Sequence, residues 1–358
     1  MPDVTVIIPV FNGAHMLRAA IETAHANACI PHHLVISDDD STDSEMRAYL
    51  ERLASSWTVL YHKGTRGFPH NVNFAVSHTT EPFICLLNSD TRACRFWLKE
   101  MMSEMEDPTV GIVGAKLIYP KDATNGYPDC IQHCGVARDS VGQHYHIWRG
   151  APRDAPEANE RREINAVTFA CVLIRRTCWD AVGGLDEGFI GGQFEDIDFN
   201  IRARQLGWKV IYTPKAELYH REHGSGEDFA KATAAPNRKR LRDKWPNLTS
   251  DERLFMPFSW DSIYDKRLLD ELAGLIHGFQ SQAVAKTQGQ DGTWYGLHYQ
   301  DTGYIALTEK EKKPLRDAAR EIVRLMQTTY SRRAREDAER VEETVVPAFR
   351  ASVPADRK

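Results

Sequence analysis

Four near-continuous apolar runs, VTVIIPV (4–10), HHLVIS (32–37), WTVLY (57–61) and PFICLLN (82–88), alternate with helical patterns near 14–26, 43–54 and 69–78. Strands that are apolar on both faces belong in a sheet covered by helices on both sides, so the alternation predicts a mostly parallel α/β sheet. Each run closes in a polar cluster: Asn12-Gly13, Asp38 to Asp43, Gly64 to Gly67, and Asn88 to Asp90. Ligands of open α/β sheets bind beyond the carboxyl ends of the strands, so the four clusters predict a single crevice.

Past residue 110 the pattern loosens. A strand is expected near 110–118, then an irregular Gly-, Cys- and His-bearing stretch to Trp148, a charged loop over 151–162, and a strand over NAVTFACVLIRR (165–176). A helix begins near Glu195 and stops at Gly207, followed by the strand WKVIY (208–212). From about residue 228 the sequence turns helical and charged. The reading therefore divides the chain into an α/β domain over 1–230 and a mostly helical C-terminal extension over 231–358.

A length of 358 residues allows a sizeable core and more than one domain. A net charge of −5 offers no general attraction to nucleic-acid phosphates, so a nucleic-acid partner is not expected. The start MPDVTVIIPVFNG lacks a signal-peptide pattern and no run reaches the length of a membrane span, which places the chain in the cytoplasm as an expectation. Seven cysteines without framework spacing read as reduced thiols. Cys130, His133 and Cys134 could join His144 or His146 around zinc, but the spacing fits no common zinc module and ordinary thiols are the expected reading.

Four constellations carry candidate chemistry. In SDDDSTDS (37–44), Asp43 suits a helix cap, which leaves Asp38 to Asp40 either in a solvated turn or accepting hydrogen bonds from a nucleoside. In LLNSD (86–90), Asp90 at a strand end is either a cap for the helix that follows or a ligand for a hard divalent cation. In GGLDEGFIGGQFEDIDFN (183–200), Glu195, Asp196 and Asp198 stand in a helix first turn, where the dipole favours them, yet the glycines ahead invite a close substrate and Asp196 could take a proton from a hydroxyl. In LYHREHGS (218–225), His220 and His223 are either surface histidines or a cation ligand beside Asp90.

Together VIIPVFN (6–12), SDDDSTD (37–43), GTRGFPHNVN (64–73), LLNSD (86–90), GGLDEGF (183–189), EDIDFNIRARQLGW (195–208) and His220 resemble the family 2 inverting glycosyltransferases of the GT-A fold, the bacterial cell-surface polysaccharide and rhamnosyl-type enzymes among them. The resemblance covers about the first 225 residues. It implies that Pro9, Asp38, Asp39 and Arg66 hold the nucleotide, that Asn88 and Asp90 occupy the Asp-x-Asp metal motif, that Asp196 and Glu195 form the catalytic pair with Asp196 as base, and that His220 is a second metal ligand. Asn88 departs from the motif's first aspartate, and Asn73 stands where many relatives have glycine.

The implied cofactor is a divalent cation, Mn²⁺ or Mg²⁺. The implied reaction moves a sugar from a nucleoside diphosphate sugar, a UDP-sugar first and dTDP-rhamnose second, to a hydroxyl of a glycan or lipid-linked glycan acceptor. The loop over 151–162 or the loop over 186–194 is expected to order on binding. A nucleotidyltransferase would need a basic glycine-rich loop after the first strand, which VFNGAHML does not provide. A binding subunit or scaffold of a glycan assembly complex is the alternative outside catalysis. The extension's aromatics, Trp245, Phe255, Phe258, Trp260, Trp294 and Tyr295, are expected to dock on the α/β domain, with an acceptor site, a homo-oligomer contact or peripheral contact with the inner face of a membrane as the other readings.

Overall fold

The computed structural model describes residues 3–64, 67–123, 128–138, 144–221 and 227–248. All of them lie within one compact unit, Met1–Asp251; the second unit, Glu252–Lys358, is outside the described residues, and so are all the extension's aromatics except Trp245.

The elements run β1 (Val4–Val10), α1 (Ala14–Asn27), β2 (His33–Asp38), α2 (Ser44–Leu53), β3 (Thr58–Tyr61), α3 (Phe68–Ser77), β4 (Phe83–Leu87), β5 (Thr91–Ala93), α4 (Trp97–Glu104) and β6 (Val110–Ile118). They continue with β7 (Ile131–His133), β8 (Val136–Arg138), β9 (His144–His146), β10 (Arg162–Glu163), β11 (Cys171–Arg175), α5 (Arg176–Val182), α6 (Glu195–Gln205), β12 (Lys209–His220) and α7 (Glu227–Lys244). The main sheet has the order β10-β12-β6-β11-β4-β1-β2-β3, with β5 on β12 and β7 on β6; β8 and β9 form a separate ribbon. β1 to β4 are mutually parallel, β11 runs against both β4 and β6, and β6 is parallel to β12. The result is a mixed, mostly parallel sheet flanked by helices, as the apolar runs require.

The core follows from the sequence pattern. Val6, Ile7 and Ile8 in β1 and Leu34, Val35 and Ile36 in β2 are fully or almost fully buried, consistent with strands covered on both faces. α1 buries Ala14, Leu17, Ala20, Ile21 and Ala24, one stripe at helical spacing. Trp97 at the start of α4 is fully buried and donates its indole N–H to the Ala24 carbonyl at 3.1 Å, pinning α4 to α1.

Three differences from the sequence reading matter for the site. The strand expected over 165–176 is only Cys171–Arg175, and α5 takes over at Arg176; Ala166, Val167, Phe169 and Ala170 are buried, with Phe169 against Phe199 and Val167 bonded to Asn200 of α6, which an apolar run cannot distinguish from a strand. WKVIY does not stop at Tyr212: β12 runs through Pro214 to His220, and the ladder to β6 breaks register between Thr213 and Glu217, where proline cannot donate. The boundary expected at 230 falls inside α7.

Candidate functional site

β1, β2, β4, β6 and β12 point the same way, and β11 runs against them, so five C-terminal ends and the N-terminal approach of β11 meet at one edge. A cavity of about 550 Å³ opens there. Its walls include Pro9, Asn88, Asp90, Glu195, Asp196 and His220, six residues drawn from segments up to 211 positions apart that the sequence reading had assigned to one site. Asp38 and Asp39 stand beside it at the end of β2, with Ser37 in register with Pro9. Arg66 and His223 lie outside the described residues.

Asp38 and Asp39, at the end of β2, are buried and already hydrogen-bonded. Both carboxylate oxygens of Asp38 accept from the Ser41 amide, at 3.3 and 3.2 Å. Burial pushes the Asp38 pKa up, and the Ser41 hydrogen bonds partly offset it. Asp39 accepts from the Gly67 amide at 2.8 Å and pairs with Nδ1 of His62 at 2.8 Å. Asp43 caps α2 through the Glu45 amide, as expected. Asn12, with φ of 58°, accepts from the amides of Thr42 and Asp43 and so ties the β1 end to the β2 end.

Asp90 caps no helix, because α4 begins at Trp97 behind the left-handed Phe96. A tight turn, with Thr91 donating to the Asn88 carbonyl, leads instead into β5, whose Thr91 pairs with His220 of β12. This three-residue pairing sets the Asp90 carboxylate 3.1 Å from Nε2 of His220. The other ring nitrogen, Nδ1, lies 2.6 Å from Oε1 of buried Gln132 on β7, and the Gln132 amide nitrogen donates to the His220 carbonyl at 3.3 Å. Gln132 was not found by sequence reasoning, since a glutamine in an irregular stretch carries no motif.

Glu195 and Asp196 open α6 behind Phe194, which adopts φ of 71°. Asp196 is half-buried; Thr168 and Phe169, ahead of β11, donate to it, and its Oδ1 accepts from the Ile197 amide at 2.8 Å. Burial raises its pKa, and these hydrogen bonds restrain the rise. Glu195 is only 5% exposed, and burial together with the neighbouring Asp196 pushes it up to about 8. Its Oε2 has no hydrogen-bond partner among the described residues, and neither does Oε1 of Gln193 in the same wall. Two orphaned polar oxygens at a cavity wall are suited to the hydroxyls of a polar ligand.

The glycine-rich segment ahead of α6 is fixed from two sides. Asn73 of α3 accepts from the Leu185 amide at 2.9 Å and donates to the Leu185 carbonyl and to Glu187. α7 holds the other side: buried Asn237 accepts from the Ile190 amide and donates to the Ile190 carbonyl, each at 2.9 Å, while Arg240 and Lys244 pair with Asp186. A Cβ on Gly192, at φ of 141°, would stand 2.9 Å from Cβ of Phe68, so this close approach needs glycine. The third acidic residue of α6, Asp198, is fully buried and receives Arg202, Lys244 and the indole N–H of Trp245, each at 2.8 Å. Trp245 thus docks on the α/β domain. Thr233, Ala234 and Arg238 of α7 reach the cavity wall, a contribution that the boundary at 230 had placed outside the domain.

The cysteine and histidine cluster forms no group of three metal-holding side chains among the described residues. His133 and His146 meet at 2.7 Å through their Nδ1 atoms, and Cys134 accepts from the Tyr212 hydroxyl. All seven thiols are free. No helix among the described residues is long and apolar enough to cross a membrane.

A family model described as glycosyl transferase family 2 matches residues 5–182. The chain is similar to the uncharacterized protein y4gI of Sinorhizobium fredii, 32% identical over 63% of this chain and 25% of that one. It is similar to the O-antigen biosynthesis protein RfbC of Myxococcus xanthus, 30% identical over 63% of this chain and 18% of that one. It also resembles the N-acetylglucosaminyl-diphospho-decaprenol L-rhamnosyltransferase of Mycobacterium tuberculosis, 25% identical over 57% of this chain and 72% of that one. The chain spans a quarter or less of the length of the first two relatives.

Among solved structures, the fold matches the mannosyltransferase PcManGT from Pyrobaculum calidifontis in complex with GDP-Man and Mn²⁺, with a TM-score of 0.53 and 16% identity over 91% of this chain and 87% of that one. It also matches GalNAc-T7 with UDP, GalNAc and Mn²⁺, with a TM-score of 0.52 and 15% identity over 89% of this chain and 54% of that one. These likenesses show the GT-A fold.

Proposed function

The chain belongs to glycosyl transferase family 2 through its residues 5–182, and on that premise we propose that it is a divalent-metal-dependent inverting glycosyltransferase acting on a nucleoside diphosphate sugar. The observation that carries the reading is the cavity in which an Asp90–His220 pair and a Glu195–Asp196 pair face the same space.

Asp90 and His220 fit a cation. They offer one hard oxygen and one imidazole nitrogen at 3.1 Å separation, and such a pair leaves most of the coordination shell to water and phosphate oxygens, as Mn²⁺ and Mg²⁺ prefer. What the cation supplies when bound is positive charge at the departing diphosphate. Pro9, Asp38 and Asp39 would hold the nucleoside, with Arg66 approaching it, and Asn88 would support the diphosphate side.

Asp196 is the base in this reading. Burial raises its pKa, which makes its carboxylate a better proton acceptor near neutral pH. Burial and the neighbouring Asp196 raise the Glu195 pKa as well, and a protonated Glu195 carboxyl can donate to a sugar oxygen. Asp196 takes the proton from the acceptor hydroxyl as that oxygen attacks the anomeric carbon. The pinned glycine segment and α7 wall the acceptor away from water.

A UDP-sugar is the first candidate donor. dTDP-rhamnose is the second, supported by the resemblance to a rhamnosyltransferase. The acceptor is a glycan or a lipid-linked glycan, in keeping with relatives named for O-antigen and decaprenol-linked chemistry.

The test is a binding and hydrolysis screen of UDP, dTDP and GDP sugars with wild type and Asp196→Asn, in Mn²⁺, Mg²⁺ or chelator. One donor should bind only with metal, and its slow turnover should vanish in Asp196→Asn while binding persists. Failure of every donor under every metal condition would remove the transferase reading and leave a scaffold.

A further inference from the structure

Gln132 stands where its side chain controls one ring nitrogen of His220, and we infer that it is a positioning residue that locks His220 in the Nδ1–H form and so keeps Nε2 available beside Asp90 for a divalent cation. The inference rests on the metal reading above and deepens it.

The steps follow from hydrogen-bond chemistry. A backbone carbonyl only accepts, so the Gln132 group facing the His220 carbonyl at 3.3 Å must be its NH₂. That orientation leaves Oε1 toward Nδ1 of His220 at 2.6 Å. An amide oxygen also only accepts, so Nδ1 must carry a proton. A neutral imidazole holds one proton, and with Nδ1 occupied the lone pair is on Nε2, 3.1 Å from Oδ1 of Asp90. The flipped amide would set oxygen against oxygen at the carbonyl, so His220's own backbone decides the tautomer of His220's ring.

The backbone that presents Gln132 is irregular at that residue. In the antiparallel pairing of β6 and β7, Leu117 faces His133 and Ile118 faces Ile131, so Gln132 is the extra residue of a β-bulge. A bulge redirects the side chain at which it occurs, and here that side chain is 2% exposed and spans to the end of β12. Asp90 and His220 are themselves 8% and 10% exposed at their side chains, so bulk water does little to reset the ring. A contact of 3.1 Å between Oδ1 and Nε2 is bridged by a proton or by a cation, and a ring whose Nδ1 is already committed offers Nε2 to the cation.

The experiment uses the full chain and reads Mn²⁺ binding by electron paramagnetic resonance with UDP, dTDP or GDP, alongside ¹⁵N NMR of the neutral His220 ring at alkaline pH, assigned with His220→Gln. Wild type should bind Mn²⁺ and show Nδ1–H. Gln132→Leu should weaken Mn²⁺ roughly 10- to 100-fold and shift the ring toward Nε2–H. Gln132→Glu, which keeps an acceptor at Nδ1 but loses the donor to the His220 carbonyl, should keep the Nδ1–H tautomer; an Nε2–H ring in this variant overturns the inference. Wild-type affinity in Gln132→Leu, or an Nε2–H ring in wild type, overturns the inference and leaves the metal site standing. A wild type that binds no Mn²⁺ with any nucleotide overturns the metal reading and this inference with it; the tautomer measurement on wild type decides the ring even where Gln132→Leu does not fold.

Discussion

Glu195 and Asp196 are neighbours in sequence with different surroundings. Asp196 reaches the donors Thr168 and Phe169, while one oxygen of Glu195 has no partner among the described residues. Both pKa values rise through burial, and Glu195 rises far enough to stay protonated near neutrality. Replacing Asp196 with asparagine should lower transfer by about 10²- to 10⁴-fold with donor affinity retained, read as kcat against donor Kd. Glu195 gives a separate, thermodynamic signal. Its carboxyl titrates near 4.5 in an unfolded chain and near 8 in the fold, so between those values the unfolded state sheds a proton that the folded state keeps. Stability should therefore fall as pH rises from about 4.5 to about 8 and level off above it, and Glu195→Gln should flatten that slope; parallel slopes for the two proteins in thermal unfolding at pH 5, 6.5 and 8 would refute the assignment. Both acidic residues were legible in EDIDFN. Their unequal surroundings were not, because the donors to Asp196, Thr168 and Phe169, lie 28 and 27 positions upstream of it.

At the scale of elements, β1 to β4 were legible because each is a long apolar run with a polar end. Short strands were not. β5 and β7 have three residues each, too few to show a period, yet they bring Asp90 to His220 and Gln132 to His220. The sequence shows β12 only as WKVIY up to Tyr212, whereas the sheet tolerates Pro214 at an irregular position and carries the strand on to His220. Most of α7 falls in the extension expected from the helical, charged sequence and the end of the family resemblance. Its buried Asn237 mimics a strand neighbour by pairing with both backbone groups of Ile190, two residues from Gly192 in the cavity wall. Asn237→Ala should cost about 1–3 kcal/mol by leaving those groups unpaired, and it should raise KM more than it lowers kcat because the glycine segment loosens. Unchanged thermal stability and an unchanged KM would show that the segment holds itself.

For the whole molecule, the fold class was legible because a parallel sheet demands strands apolar on both faces and leaves its ligand edge to the polar strand ends. The domain limit was harder, since the family resemblance fades near residue 230 while the packing does not. Leu241 is 3% exposed and lies in a buried cluster with Phe189 and Ile197, against which Trp245 packs. Trp245 and Lys244 also complete the shell of Asp198, a fully buried carboxylate. A chain ending at 230 would strip Asp198 of two of its three cationic or N–H partners, and breaking a buried ion pair from one side costs about 3–5 kcal/mol, a large share of the stability of an ordinary domain. A chain ending at Asp251 keeps all three and matches the compact unit. We therefore expect residues 1–251 to unfold in one cooperative transition and to bind the donor nucleotide with metal, and residues 1–230 to be insoluble or to melt without a sharp transition. Calorimetry of the two truncations decides it: cooperative melting of residues 1–230 at the temperature of residues 1–251 would mean that α7 is an accessory to the domain and that the glycine segment and Asp198 stand without it.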